Sequence, residues 1–328
     1  MVTLRGVALL PRQVLVAEDC LGQTVAGSTA GETEFELAFP ILPEGPSGDG
    51  GEALAPPTGM TDLTPLVRDR GWGYMGFGQS SSGPRPLASW IQALGVTGSW
   101  SCAAGADAEE AHQATVFGAR FDEWLEMFGQ WLELWSNQRV VAPEQQLQRT
   151  QGHVHISIDS KPAVLTGWSP ALGSFRFHRS SESLPLATLR AAAARASSGT
   201  TPPLEWRLLL QAAQMSDRRG AMIDAGTAAE VGLANAIRVH LNGLPPQAQE
   251  VIIQAANGVA GLATLLESLV PAERSRRSRL IDRVAGPRNA AVHGGATPEP
   301  EALAAALAEV RALLDLYSPR PTPDDTCA

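Results

Sequence analysis

An α+β architecture is predicted for this chain, a β-rich N-terminal domain containing one long aromatic helix, followed by an all-helical C-terminal bundle. Three observations carry the expectation. Short apolar or alternating runs separated by turn residues fill residues 1–42 and recur at 152–179. Between them lies a stripe of aromatic residues at helical spacing. Past Ser197-Ser198-Gly199-Thr200-Thr201-Pro202-Pro203, nearly every segment has helical period. These shifts divide the chain into a domain at 1–180, a linker with a short Ala-rich helix at 181–203, a helical domain at 204–318 and a frayed tail at 319–328.

Taken in order, VALLPRQVLVAED and TEFELAFPI read as strands, and the Pro/Gly-rich residues 43–60 as a loop. In GWGYMGFG, Gly71, Gly73 and Gly76 satisfy G-x-G-x-x-G. A phosphate loop of that type needs a helix opening at its last glycine. Here QSSSGPRP follows and reads as loop, so Trp72, Tyr74 and Phe77 alternating with glycine indicate a strand. Residues 115–137 form the strongest helix of this half. Phe117, Phe121, Trp124, Phe128, Trp131 and Trp135 are spaced 4, 3, 4, 3, 4 along one face. Such a stripe could stack nucleobases. The acidic Asp122, Glu123, Glu126 and Glu133 on the same helix favour packing instead. His153 and His155 share a strand face, but no third metal ligand is evident nearby.

Composition bounds the function. The 328 residues, 44% hydrophobic and 18% charged, suit a soluble globular protein. No apolar run reaches the ~18 residues of a membrane span. The apolar N-terminus is interrupted by Arg5, Pro11, Arg12 and Glu18, unlike a signal peptide. Cys20, Cys102 and Cys327 are odd in number and far apart, which indicates neither a disulfide framework nor a zinc cluster and fits a cytoplasmic protein. A net charge of −9 argues against a general nucleic-acid binder, so any polyanion site must be local.

In the helical part, Asp217 is placed to cap a helix over 218–241. Further helices follow through about 256, at 258–270 and at 272–285, and Pro298-Glu299-Pro300-Glu301 opens the last one. Between these lies Gly286-Pro287-Arg288-Asn289-Ala290-Ala291-Val292-His293-Gly294-Gly295. Pro287 suits a first helical turn and the two glycines a stop, which predicts a very short helix with loop on both sides. Asn289 and His293 then lie one turn apart on a common face, with Arg288 at its edge. The trio can hold a phosphate, orient an imidazole and move a proton. Residues 271–293 add Arg274, Arg276, Arg277, Arg279 and Arg283 to Arg288 against only Glu273 and Asp282. Arg276, Arg277, Arg279 and Arg283 are therefore candidate RNA- or phosphate-binding residues.

Arg288-Asn289-x-x-x-His293, set before a final helix, together with Asp217-Arg218-Arg219 and Ala228-Ala229-Glu230 on the early long helix, resembles the HEPN domain (higher eukaryotes and prokaryotes nucleotide-binding) over residues 204–318. The resemblance implies a helical bundle that pairs as a homodimer with two motifs facing each other. It also implies metal-independent endoribonuclease activity in toxin or anti-phage defence systems, although some members only bind RNA or nucleotides. On that footing Arg288, Asn289 and His293 are catalytic, no cofactor is needed, and residues 1–180 sense a trigger or regulator protein. Glu230 is a candidate brace for Arg288 across the bundle.

Overall fold

A strand can run on through a proline that falls in a bulge, and the N-terminal sheet is built around such a strand. The structure, a computed structural model, describes residues 2–29, 33–43, 53–67, 71–80, 83–100, 107–136, 138, 140, 154–158, 164–166 and 183–324. It divides into two units, Met1–Thr201 with Pro323–Ala328, and Pro202–Thr322. No helix among the described residues is long and apolar enough to cross a membrane.

The first unit holds β1 (Val2–Val16), β2 (Thr24–Thr29), β3 (Thr33–Ala38), α1 (Thr64–Val67), β4 (Gly73–Ser80), β5 (Gly83–Trp100), α2 (Asp107–Ser136), β6 (Val154–Ile158), β7 (Val164–Thr166) and α3 (Leu186–Ser197). The strands make one antiparallel sheet in the order β2-β3-β5-β1-β6-β7, with β4 beside the first part of β5. β1 stays in register with β5 through Leu9 and resumes at Val14 after a bulge. Pro11 lies inside the bulge, where its missing N–H costs no ladder bond. The glycine–aromatic run is strand, as its alternation requires. The stretch after it is not the expected loop: Gln79 pairs with Pro84 and Ser80 with Gly83. Pro84 and Pro86 are tolerated because β1 joins β5 only from Ser89, so this part of β5 has β4 as its neighbour and not β1.

The aromatic stripe of α2 packs on its own sheet. Phe117, Phe121, Trp124, Phe128 and Trp131 are buried. The Phe35 ring of β3 lies 5.0 Å from Phe121 and 4.8 Å from Trp124, edge-on to both. Indole N–H groups find partners at the end of α3 and just beyond it: Trp124 donates to Ser197 Oγ at 3.1 Å and Trp131 to the Thr200 carbonyl at 2.7 Å. These contacts bind α3 into the sheet unit, where the sequence suggested a linker. Stacking on nucleobases is not open to rings so enclosed. Cys20 is a buried free thiol whose Sγ donates to the Leu184 carbonyl, and burial pushes its pKa up. Cys102, Cys327 and His153 lie outside the described residues, as does the side chain of His155.

The second unit is helical: α4 (Leu204–Gln214), α5 (Arg218–His240), α6 (Pro246–Ala256), α7 (Gly258–Leu269), α8 (Arg274–Leu280), α9 (Gly286–Gly294) and α10 (Pro300–Tyr317). Asp217 caps α5, accepting from the N–H groups of Arg219 and Gly220. α5 touches α4, α7, α9 and α10. It can do so because Ala221, Ala225, Ala228, Ala229 and Ala236 on its buried positions are small. The ends of α4 and α10 are tied by Trp206, whose Nε1 donates to the Ser318 carbonyl at 2.7 Å. The predicted frayed tail is described through Asp324, and residues 325–328 lie outside the described set.

Phe121→Ala removes a fully buried ring and is expected to cost about 3–5 kcal/mol, read by denaturant unfolding followed by tryptophan fluorescence. A loss under about 1 kcal/mol would show that the aromatic seam does not hold this unit together.

Candidate functional site

α9 is not the isolated short helix that its sequence suggests. α8 runs without a break into a π-helical turn, Ile281–Ala285, and that turn runs into α9. Pro287 is the cause. Inside a helix it has no N–H to donate, and its ring collides with the carbonyl four residues back. Widening the preceding turn relieves both problems: the Gly286 N–H reaches five residues back to the Ile281 carbonyl. Only the far end of α9 meets a loop. There Gly295 takes a left-handed φ of 66°, and the N–H groups of Gly295 and Ala296 both turn back to the Ala290 carbonyl.

The faces of α9 sort the motif. Ala291 is fully buried, Arg288 is half-buried, and Asn289 and His293 are exposed. Arg288 therefore points towards α5 while Asn289 and His293 share the solvent face. The Arg288 stem lies on Gly226, where an added Cβ would come within 2.6 Å of Arg288 Cγ. Its Nη2 is 3.3 Å from Glu230 Oε1, and its Nη1 donates to Asn289 Oδ1 at 3.3 Å. The brace from Glu230 is thus present. The Asn289 carbonyl oxygen accepts from Arg288. Among the described residues His293 makes no hydrogen bond. At the opposite end of the contact, Arg219 Nε donates to the Ala291 carbonyl at 2.9 Å.

The arginine strip is less free than a charge count implies. Arg277 donates to Glu267 at 2.6 Å, and Arg274 is 4.0 Å from the same carboxylate. Arg276 pairs with Glu273 and lies over the Tyr317 ring at 5.8 Å. Burial, then the Glu273 carboxylate, push the Tyr317 phenol up. Arg279 Nε donates to both oxygens of the buried Glu309 at 2.9 and 3.0 Å, and Arg283 approaches it at 3.6 Å. Each arginine of the strip thus has a carboxylate within 4.0 Å. Of Arg276, Arg277, Arg279 and Arg283, Arg283 is the most available to an outside anion, 52% exposed and loosely paired, while Arg274 at the start of the strip is freer still, 87% exposed.

Sequence reasoning missed Gly226, Glu267 and Glu309, and named Arg219 only within Asp217-Arg218-Arg219, without a role. Glycines recurring in an Ala-rich helix, Gly220, Gly226 and Gly232, are a signal for close approach and could have drawn attention to Gly226. The other three act across long gaps in the sequence, where no spacing rule reaches. Among the described residues no group of three or more His, Cys, Asp or Glu side chains could hold a metal ion. In comparison with known proteins, the chain matches no family model, no curated protein and no solved structure.

Two substitutions test the geometry. Gly226→Ala should cost about 1–3 kcal/mol, because the methyl has no room unless Arg288 moves. A double-mutant cycle between Arg288→Met and Glu230→Gln should give a coupling of about 1 kcal/mol, as expected for a pair roughly three-quarters buried. No coupling would mean that the brace is absent in solution.

Proposed function

We propose that the C-terminal unit is an endoribonuclease of the HEPN type that cleaves RNA without a metal, acts as a homodimer, and is governed by the N-terminal unit as a sensor of a trigger or regulator. The observation that supports this reading is the division of the motif between two faces of α9. Asn289 and His293 stand one turn apart in solvent, while Arg288 is held beside them by Glu230 and Gly226. Guanidinium carries five donors, and Arg288 commits only part of them to Glu230 and Asn289, so donors remain for a phosphate oxygen.

In the proposed reaction the RNA 2′-OH attacks the adjacent phosphorus as His293 takes its proton. Arg288 offsets the charge that builds on the phosphoryl oxygens. The 5′-oxygen leaves with a proton from a second acid. One imidazole cannot accept and donate in the same step, so the second is assigned to His293 of another copy of this chain. The products are a 2′,3′-cyclic phosphate and a 5′-OH. Arg283, and less readily Arg276, Arg277 and Arg279, would contact flanking phosphates in competition with Glu309, Glu273 and Glu267.

A second reading has its own support. Every strip arginine is paired, and Arg288 already has a carboxylate, which suits a module that only binds RNA or nucleotides, or that only joins two copies. Mixed RNA oligonucleotides with and without EDTA separate the two. Cleavage that survives EDTA and falls by about 10²–10⁴-fold in His293→Ala supports the nuclease. Binding without cleavage, or neither, supports the second reading.

A further inference from the structure

The last carbonyls of a helix have no partner within it. In α9 the Ala291 carbonyl is one of these, because Gly295, which would serve it in a continuing α-helix, donates to Ala290. The partner of Ala291 comes from the first turn of α5: Nε of Arg219, at 2.9 Å. Arg219 is itself held, since its backbone N–H donates to the Asp217 carboxylate at 3.0 Å. Its cationic head also sits at the helix end where the dipole favours positive charge. Two residues beyond Ala291 comes His293, then Gly294 and Gly295, which bring no side chains to fix the turn. α9 is thus fastened to α5 at two points. Arg288 reaches Gly226 and Glu230 at one, and Arg219 reaches Ala291 at the other, on the side of His293.

We propose that Arg219 is a positioning residue for the site, fixing the C-terminal turn of α9 and so the point from which the His293 imidazole projects. This rests on the reading of His293 as the proton-transfer group. The bond needs an N–H donor at the Nε position. Glutamine places its amide nitrogen the same number of bonds from Cα as arginine places Nε. Lysine has carbon there and carries its charged N–H donors one bond further out. Rescue by one and not the other separates a hydrogen bond that positions α9 from a charge that contacts RNA.

The full chain and its Arg219→Ala, Arg219→Gln and Arg219→Lys variants would be compared by RNA cleavage kinetics and by amide hydrogen exchange across residues 292–296. Expected are a kcat for Arg219→Ala lower by roughly 10–100-fold at nearly constant KM, recovery in Arg219→Gln but not in Arg219→Lys, and faster exchange in Arg219→Ala that Gln reverses. Wild-type kcat in Arg219→Ala, a loss confined to KM, or better rescue by Lys would overturn the proposal. Should the unmodified chain cleave no RNA, the nuclease reading fails by itself and exchange alone decides. Unchanged exchange in Arg219→Ala then overturns the positioning role, and faster exchange reversed by Gln supports it.

Discussion

Helices faced with leucine keep their axes well apart, whereas helices faced with alanine and glycine can close up until side chains from one lie directly on the backbone of the other. α5 is of the second kind. Gly226 receives the stem of Arg288 and Gly232 receives Leu314, and a methyl group at either place would overlap its guest. This closeness decides what Arg288 can do. A guanidinium laid across the α5 backbone has few places to point, and Glu230, one turn beyond Gly226, occupies one of them. The candidate site therefore depends on a residue type that brings no chemistry of its own.

The second dependence is on Pro287. A proline early in a helix that continues from the preceding one forces a choice between breaking and widening, and this chain widens. The π turn lets α8 and α9 run on as one rod while Arg279 and Arg283 still converge on Glu309 of α10. Glu309 is buried, and a buried carboxylate without cations would be costly. The arginines that look in sequence like a surface for polyanions thus have structural work to do inside the bundle.

Legibility in the sequence followed distance along the chain. The 4-3-4 aromatic spacing of α2, the Asp217 cap, the glycine stop at 295 and the change of period near residue 200 all lie within a turn or two and were readable. The run of β1 through Pro11 was readable as strand, but the start of β5 at Gly83 was not, because a neighbouring strand supplies the bonds that local propensity lacks. In the site, Arg288, Asn289 and His293 were visible as a cluster, with Asn289 and His293 on one face and Arg288 at its edge, but the turn of Arg288 onto α5 shows only in the folded chain. The roles of Glu267, Glu309 and Arg219 depend on partners 10, 30 and 72 residues away, which only the folded chain brings together.

The π turn also has a bearing on ancestry. A π turn is equivalent to an α-helix that has taken in one extra residue while keeping the faces before and after it. Relatives without a proline at position 287 would then be one residue shorter between the arginines of α8 and the motif of α9. An alignment scored without gaps across Ile281–Ala285 would set either the arginines or the motif out of step by one position, matching His293 to the half-buried Val292 column or to a glycine column. Kinship in this part of the chain should be sought with a single-residue gap allowed at that turn.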